Sequence, residues 1–204
     1  MSSRLHVQVI AAIVVLVFAG GIALSGDELK PGWLRFFGAA VFIAVLMLGA
    51  WECFIWRWPA LQKLQSVPTD LNGTWKGTLA SLWQGPDGNK QKPKEAYLVV
   101  RQTASTASVI LMTDESKSRS SLASVDRMPD GHQLNYLFVN SPAPRHEDRS
   151  RMHRGAASLD VSGRPAESIE GRYWTDRESR GELRFCERSR KHAESRDAAA
   201  ALFE

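Results

Sequence analysis

The chain has 204 residues and a formal net charge of +4, enough for one folded domain with an appendage but short for two full domains. Up to Trp56, Arg4, Lys30 and Arg35 balance Asp27, Glu28 and Glu52, so the whole positive excess lies downstream. That excess suits an anionic ligand or leaflet and is too small to require nucleic acid.

Two segments, residues 7–24 and 33–56, are almost wholly apolar. A helix needs about 20 such residues to cross a roughly 30 Å hydrocarbon core. The first contains Gln8 as its only strongly polar member, and the second carries Arg35 and Glu52 near its ends, where side chains reach the interface. Ser25-Gly26-Asp27-Glu28-Leu29-Lys30-Pro31-Gly32 between them is a turn sequence, and Trp33, Trp51, Trp56 and Trp58 are placed as interfacial anchors. These features predict a transmembrane helical hairpin over residues 1–58. A cleaved signal peptide is disfavoured by the length of the first apolar run, by Arg4 as the sole basic residue before it, and by the lack of a clear A-x-A site. Arg57 and Lys63 follow the second span whereas the connecting loop is slightly acidic. Both termini are therefore expected in the cytoplasm and the loop in the periplasm, in the bacterial inner membrane. Ala19-x-x-x-Ala23 and Ala40-x-x-x-Ala44 have the spacing of close-packing helix faces, although alanine is common in any span.

Residues 59–69, interrupted by Pro59 and Pro68, read as a juxtamembrane linker. From residue 70 to 188 the pattern becomes short alternating runs separated by turn residues. Strands are expected at about 73–83, 96–103, 106–113, 119–126, 132–140, 152–161, 167–175 and 181–188. Turns are expected at Gly85-Pro86-Asp87-Gly88, Met128-Pro129-Asp130-Gly131 and Ser162-Gly163-Arg164-Pro165, with a polar hairpin tip at residues 176–180. No long amphipathic helix interrupts the series. The fold class is therefore a two-helix transmembrane hairpin followed by an all-β domain, a small antiparallel barrel of about eight strands, since closure removes exposed edges. The tail, residues 189–204, is charged and then Ala-rich, which reads as a frayed helix or disorder.

Catalytic signatures are missing: the chain has no Gly-rich phosphate loop, no HExxH and no nucleophile elbow. His6, His132, His146, His153 and His192 are scattered. Cys53 and Cys186 stand alone, which fits a reducing compartment and disfavours structural zinc. No catalytic residue, metal or cofactor is expected. Gly73-x-Trp75 at the start of the first strand reads as a ring plugging one barrel end. The strands do carry a polar set: Thr113 with Ser116, Ser118, Ser120 and Ser121; Tyr136 on one face with Leu134 and Phe138; and Tyr173, Thr175 and Arg177 at alternate positions. Arg can grip a phosphate with two hydrogen bonds, hydroxyls can serve its other oxygens, and Tyr can stack on a base. The ordinary alternative is serines in turns, tyrosines in the core and an arginine in solvent.

Asp70-Leu71-Asn72-Gly73-Thr74-Trp75-Lys76-Gly77 and Gly171-Arg172-Tyr173-Trp174-Thr175-Asp176-Arg177-Glu178-Ser179-Arg180-Gly181 bracket the domain. Between them lie Val109-Ile110-Leu111-Met112-Thr113 before a Ser-rich stretch, and Leu134-Asn135-Tyr136 leading to Asn140-Ser141-Pro142. In this order, behind two apolar spans, the chain resembles the SMODS-associated two-transmembrane, β-strand-rich effector family of cyclic-oligonucleotide-based anti-phage signalling (CBASS). The resemblance implies a cyclic dinucleotide made during infection by a neighbouring nucleotidyltransferase, with no direct contact between synthase and effector required. The barrel would bind it, and homo-oligomerisation of the membrane segments among inner-membrane lipid would breach the membrane and kill the infected cell. Ligand-binding positions implied are Tyr136, Tyr173, Thr175 and Arg177, with Thr113 and Ser120. Rival readings are a lipocalin-like membrane-tethered carrier of a small apolar ligand, prompted by Gly73-x-Trp75 and the strand count, and a non-catalytic structural membrane subunit. An enzyme comes last.

Overall fold

The computed structural model describes residues 3–25, 33–82, 92–146 and 151–204. The expected interhelical turn at residues 26–32 and the turn at residues 85–88 lie outside them. The chain divides into two compact units, Met1–Trp56 and Arg57–Glu204.

The first unit is a pair of helices, α1 (Ser3–Ser25) and α2 (Trp33–Cys53), in mutual contact. Neither contains a proline to break its hydrogen-bond ladder. Phe18 and Phe37 meet edge to face, with ring centroids 5.6 Å apart. Ala40 and Ala44 are buried one turn apart on α2, whereas Leu16, Phe42, Leu46 and Met47 are exposed. Such a contiguous apolar exterior marks a surface meant for something other than water. One stretch, Phe36–Cys53, is long and apolar enough to cross a membrane, and Ala11–Leu24 on α1 is a shorter apolar stretch.

The second unit is built on eight strands: β1 (Gly73–Ser81), β2 (Lys94–Gln102), β3 (Ala107–Met112), β4 (Ser116–Met128), β5 (Gly131–Pro142), β6 (His153–Ser162), β7 (Ser168–Thr175) and β8 (Arg180–Ser189). Each pairs antiparallel with the next, and β8 closes on β1, giving the closed eight-stranded barrel expected from sequence. Alternation decides which side chains fill it: on β5, Leu134, Tyr136 and Phe138 are buried while Leu137 is exposed.

The barrel interior is unevenly filled. At the end where the chain enters, Leu71, Trp75, Leu98, Val100, Leu159, Ile169 and Phe185 form a solid apolar core. Burial of each large side chain stabilises the fold by roughly 1.5–3 kcal/mol. Trp75 plugs this end: its Nε1 donates to the Leu71 carbonyl at 2.9 Å, and the Arg188 guanidinium lies 5.0 Å from its ring centroid.

Two segments outside the strands are more ordered than their sequences suggest. The linker forms a short helix, α3 (Pro59–Gln62), with proline in its first turn, where no N–H is needed. Arg164, in the β6–β7 turn, donates to the Gln62, Leu64 and Val67 carbonyls at 3.1, 2.8 and 3.2 Å, so the linker is docked on the barrel. The tail, expected to be frayed or disordered, instead folds back as a strap ending in α4 (Arg196–Ala200), capped by Ser195 accepting from the Ala198 N–H. Ala193, Ala199, Leu202 and Phe203 cover Tyr97, Val99, Ile110 and Met112 on the outer faces of β2 and β3. Thr74 Oγ1 pins the strap by donating to the Lys191 carbonyl at 2.7 Å and accepting from the Ala193 N–H at 3.0 Å.

Candidate ligand-binding site

At the opposite end the barrel is open. The strand ends there hold a cavity of about 420 Å³, to which every strand contributes inward-facing residues, among them Leu79, Lys94, Leu111, Ser118, His153 and Leu183. That size lies within the usual range for small-molecule sites. Its floor is apolar, from Leu79, Leu111, Phe138 and Leu183, and polar groups rise from it toward the mouth.

Tyr136 stands on β5 with its phenol at the cavity wall, beside Phe138 at a ring-centroid distance of 5.9 Å. The side chain is only 3% exposed and its hydroxyl has no hydrogen-bond partner among the described residues. An orphaned buried hydroxyl costs about 1–3 kcal/mol, so its retention needs a reason beyond packing. Burial pushes the Tyr136 phenol well above its ordinary pKa, which keeps it a neutral donor.

On β7, Tyr173 and Thr175 point inward from alternate positions. Tyr173 lies across Gly181 on β8, where any Cβ would collide with the ring, so glycine there makes room for the phenol at the cavity. Burial raises its pKa, while a hydrogen bond with Ser81 acts the other way. Thr175 Oγ1 is 2.7 Å from Ser179 Oγ and accepts from the Arg177 N–H at 3.3 Å, shaping the β7–β8 tip. From that tip Arg177 reaches the cavity, and its Nη1 donates to the Arg151 carbonyl at 3.3 Å.

The facing wall comes from the β3–β4 turn and β5. Thr113 Oγ1 accepts from the Ser116 N–H at 3.1 Å and the Glu115 N–H at 3.3 Å, fixing the turn. Buried Ser118 donates to Oδ1 of buried Asn140 at 2.7 Å. Lys94 pairs with Glu115 at 2.6 Å across the rim, with Lys92 nearby. Because both partners are partly exposed, the pair is worth little and an incoming anion can compete for the lysine. His153 Nδ1 lies 3.0 Å from the Arg151 carbonyl, which can only accept, so Nδ1 carries the proton. Among the described residues three cations, Lys92, Lys94 and Arg177, thus face one carboxylate, Glu115. Among the described residues no group of three or more His, Cys, Asp or Glu is placed to hold a metal ion.

The family profile described as "Cap15, cyclic dinucleotide receptor domain" matches residues 66–187, over half the chain. The chain belongs to this Cap15 family. A curated relative, CD-NTase-associated protein 15 of Staphylococcus schleiferi, is 27% identical over 171 residues, spanning 84% of this chain and 89% of the relative. The matched Cap15 segment contains every residue of the cavity wall.

Of the six positions singled out from sequence, Thr113, Tyr136, Tyr173, Thr175 and Arg177 line one cavity. Ser120 does not. Its Oγ accepts from the Val109 N–H at 2.9 Å, next to the bulge between Ser120 and Leu122 that interrupts the β4–β5 register. The hydroxyl there replaces a strand partner for β3. Ser118, two residues earlier on the same inward row, lines the cavity in its place. Lys92, Lys94, Glu115 and His153 carry no sequence signal of their own, because their roles depend on which strand ends closure brings together, and Asn140 stands out only within the Asn140-Ser141-Pro142 motif.

Proposed function

We propose that this cavity binds a cyclic dinucleotide and that binding drives anti-phage defence at the membrane. The observation carrying the reading is the pairing of an orphaned Tyr136 hydroxyl with a cationic rim inside a Cap15-family barrel. Arg177, Lys92 and Lys94 neutralise the phosphates, charge-assisted contacts being about twice as strong as neutral ones. Tyr173 and Phe138 offer stacking faces, and Tyr136 donates to a buried acceptor on the ligand. Ser118 and Asn140 serve a base edge. The chain acts as a receptor and effector, not an enzyme.

The output follows from the first unit. Residues 33–53 and the apolar part of α1 form a two-span hairpin in the inner membrane, with both termini cytoplasmic. Ligand that prefers the assembled state shifts the population toward oligomers, and tethering in one plane raises the effective concentration of each barrel. Assembled spans then breach the bilayer and kill the infected cell. The nucleotidyltransferase supplies the ligand without touching the effector. A lipocalin-like carrier would need an apolar mouth, and the rim is cationic.

Calorimetry on detergent-solubilised full-length protein against a panel of cyclic dinucleotides tests the receptor. Micromolar or tighter heat with one member is expected, weakened at least tenfold, about 1.4 kcal/mol, by Arg177→Ala. Heat that is indifferent to this substitution removes Arg177 from the site, and silence across the panel removes the ligand class. Co-expression with the synthase should leak a membrane-impermeant dye, and an inactive synthase should not.

A further inference from the structure

On the outside of β2 and β3 the barrel covers its own apolar surface, with the strap lying over Tyr97, Val99, Ile110 and Met112. The other wall is different. Leu122 on β4 stands opposite Leu137 on β5, Leu137 opposite Ala156 on β6, and Ala156 opposite Trp174 on β7. The three large side chains are 66, 48 and 52% exposed in that order. With neighbouring strands about 4.8 Å apart, the four residues form one apolar stripe about 14 Å long.

A bulge creates one end of this stripe. Ser118 and Ser120 face inward on β4, so unbroken alternation would also turn position 122 inward. The register shift between Ser120 and Leu122 reverses the order, sending Ala123 and Val125 to the core and Leu122 outside. A single exposed leucine is ordinary, whereas a contiguous row that includes a tryptophan marks a contact surface.

The two flanks of the stripe differ in charge. Toward the ligand cavity, the next outward row holds Arg119, Val139 and Arg154. Away from it, beyond a polar row of Ser124, Asn135 and Ser158, stand Asp126 and Asp160. Further round, Arg172 and Arg184 are offset by Glu182 and Glu170 on the neighbouring strands. Arg119, Arg154, Asp126 and Asp160 are all exposed, and none forms an ion pair with another described residue.

That asymmetry is self-complementary. In an isologous contact the two-fold axis lies in the plane of the interface. An axis along the strands would set the arginine row of one copy on that of the other. An axis along the stripe instead brings Ala156 onto its own mate and lays each basic flank over an acidic one. Outward rows are about 7 Å apart, so Arg154 extends toward Asp160 of the second copy, and Arg119 toward Asp126.

We propose that the Leu122–Leu137–Ala156–Trp174 stripe is a homotypic contact surface through which two barrels pack about that axis. The stripe falls well short of the roughly 800 Å² per partner that a stable complex buries. Free chains therefore associate weakly, and chains concentrated in one membrane associate well. The purpose of the contact rests on the proposed function, in which assembled copies breach the membrane. Asp176, at the rim tip beside Arg177, accepts from the Arg154 N–H at 3.1 Å, so the basic flank adjoins the ligand cavity.

Full-length protein in the membranes of expressing cells, with and without the induced synthase, provides the test. With Cys53→Ser and Cys186→Ser in place, Ala156→Cys should give a dimer with a short bismaleimide when the synthase is induced. Arg154→Glu should cut that dimer about fivefold, and adding Asp160→Arg should restore it to within about twofold. A chain carrying only Cys53→Ser keeps Cys186, exposed on β8 away from the stripe, and should give no such band. The proposal is overturned by an equal band from Cys186, by none from Ala156→Cys in either condition, or by an adduct with another protein in its place. A charge reversal that leaves the dimer intact, or that Asp160→Arg cannot rescue, overturns it too. Dye leakage from the same cells keeps the two readings apart: leakage without the dimer sinks the contact alone, and the dimer without leakage sinks the proposed output alone.

Discussion

Tyr136 combines deep burial, an unpaired hydroxyl and a place on the cavity wall. Packing alone favours phenylalanine there, since removing an unsatisfied group can be neutral or stabilising. Tyr136→Phe should leave the stability of the empty barrel unchanged or raise it by about 1 kcal/mol, while ligand affinity falls roughly tenfold. Melting curves and titration heats on the same preparation separate the two effects; a destabilised variant with unaltered affinity would make the hydroxyl structural. The tyrosines also set an alkaline limit. Tyr97, buried under the tail and donating to Glu95 at 2.7 Å, has its phenol pushed from 10.0 to about 12, chiefly by burial and then by Glu95. The folded chain holds the neutral form, so this contribution is full below pH 10 and is lost as pH rises toward 12, where the unfolded chain ionises first. Urea melts between pH 9 and 12 should show that decline, and Tyr97→Phe should flatten it. Tyr136 and Tyr173 were legible from inward alternation on their strands. Ser120 was not, because the bulge beyond it turns an inward hydroxyl to backbone duty, and no residue type marks that bulge.

The strands were legible because turn residues punctuate them and because closure is the economical answer for a short, edge-prone sheet. The tail was misread for an identifiable reason. Its own residues, polar and Ala-rich, carry little periodicity, and the missing clue lies in its partner. On β2, Ala96 through Val100 are all buried, an unbroken apolar run that signals cover on both faces. A barrel interior accounts for one face only, and the strap from Lys191 to Phe203 accounts for the other. Truncation after Arg190 should therefore expose Tyr97, Val99 and Met112 and leave Thr74 without either strap partner. The loss should be on the order of 3 kcal/mol or more, read as an earlier thermal transition or aggregation of the full-length background. A milder probe, Ala199→Arg, forces a long cation under α4 and should cost about 2–4 kcal/mol. If both variants melt with the wild type, the strap is only resting on the barrel. Charged contacts at its edge, such as Arg196 with Glu95 at 3.6 Å, are exposed enough to add little.

At the scale of the molecule, the polar cavity lies at one end of the barrel and the linker docks at the other. On the proposed function, a signal crosses the packed core between them, and close packing transmits displacement well. What it reaches is the linker, and the linker is held tightly. One guanidinium, that of Arg164, bonds to three linker carbonyls and lies 2.9 Å from Nε2 of His132. Burial, then Arg164 and Arg127, keep His132 below its usual pKa, so the ring can accept from Arg164. Gln62 adds two bonds, donating to the Pro68 carbonyl and accepting from the Asp70 N–H, both at 3.0 Å. Just before the docked linker, a 3-10 turn orders Ile55–Arg57. On the proposed function, a docked linker lets assembled barrels act on the apolar helices, whereas a loose one does not. Arg164→Ala should therefore leave cyclic-dinucleotide affinity within about twofold, its site being at the far end and independent substitutions being nearly additive, while dye leakage on synthase induction drops several-fold. A Gly-Gly-Ser insertion after Trp58, which leaves every barrel contact intact, should reproduce that split between binding and output. Undiminished leakage from both variants, at matched expression and with normal binding heats, would mean that tethering alone suffices and that the docked linker carries no signal.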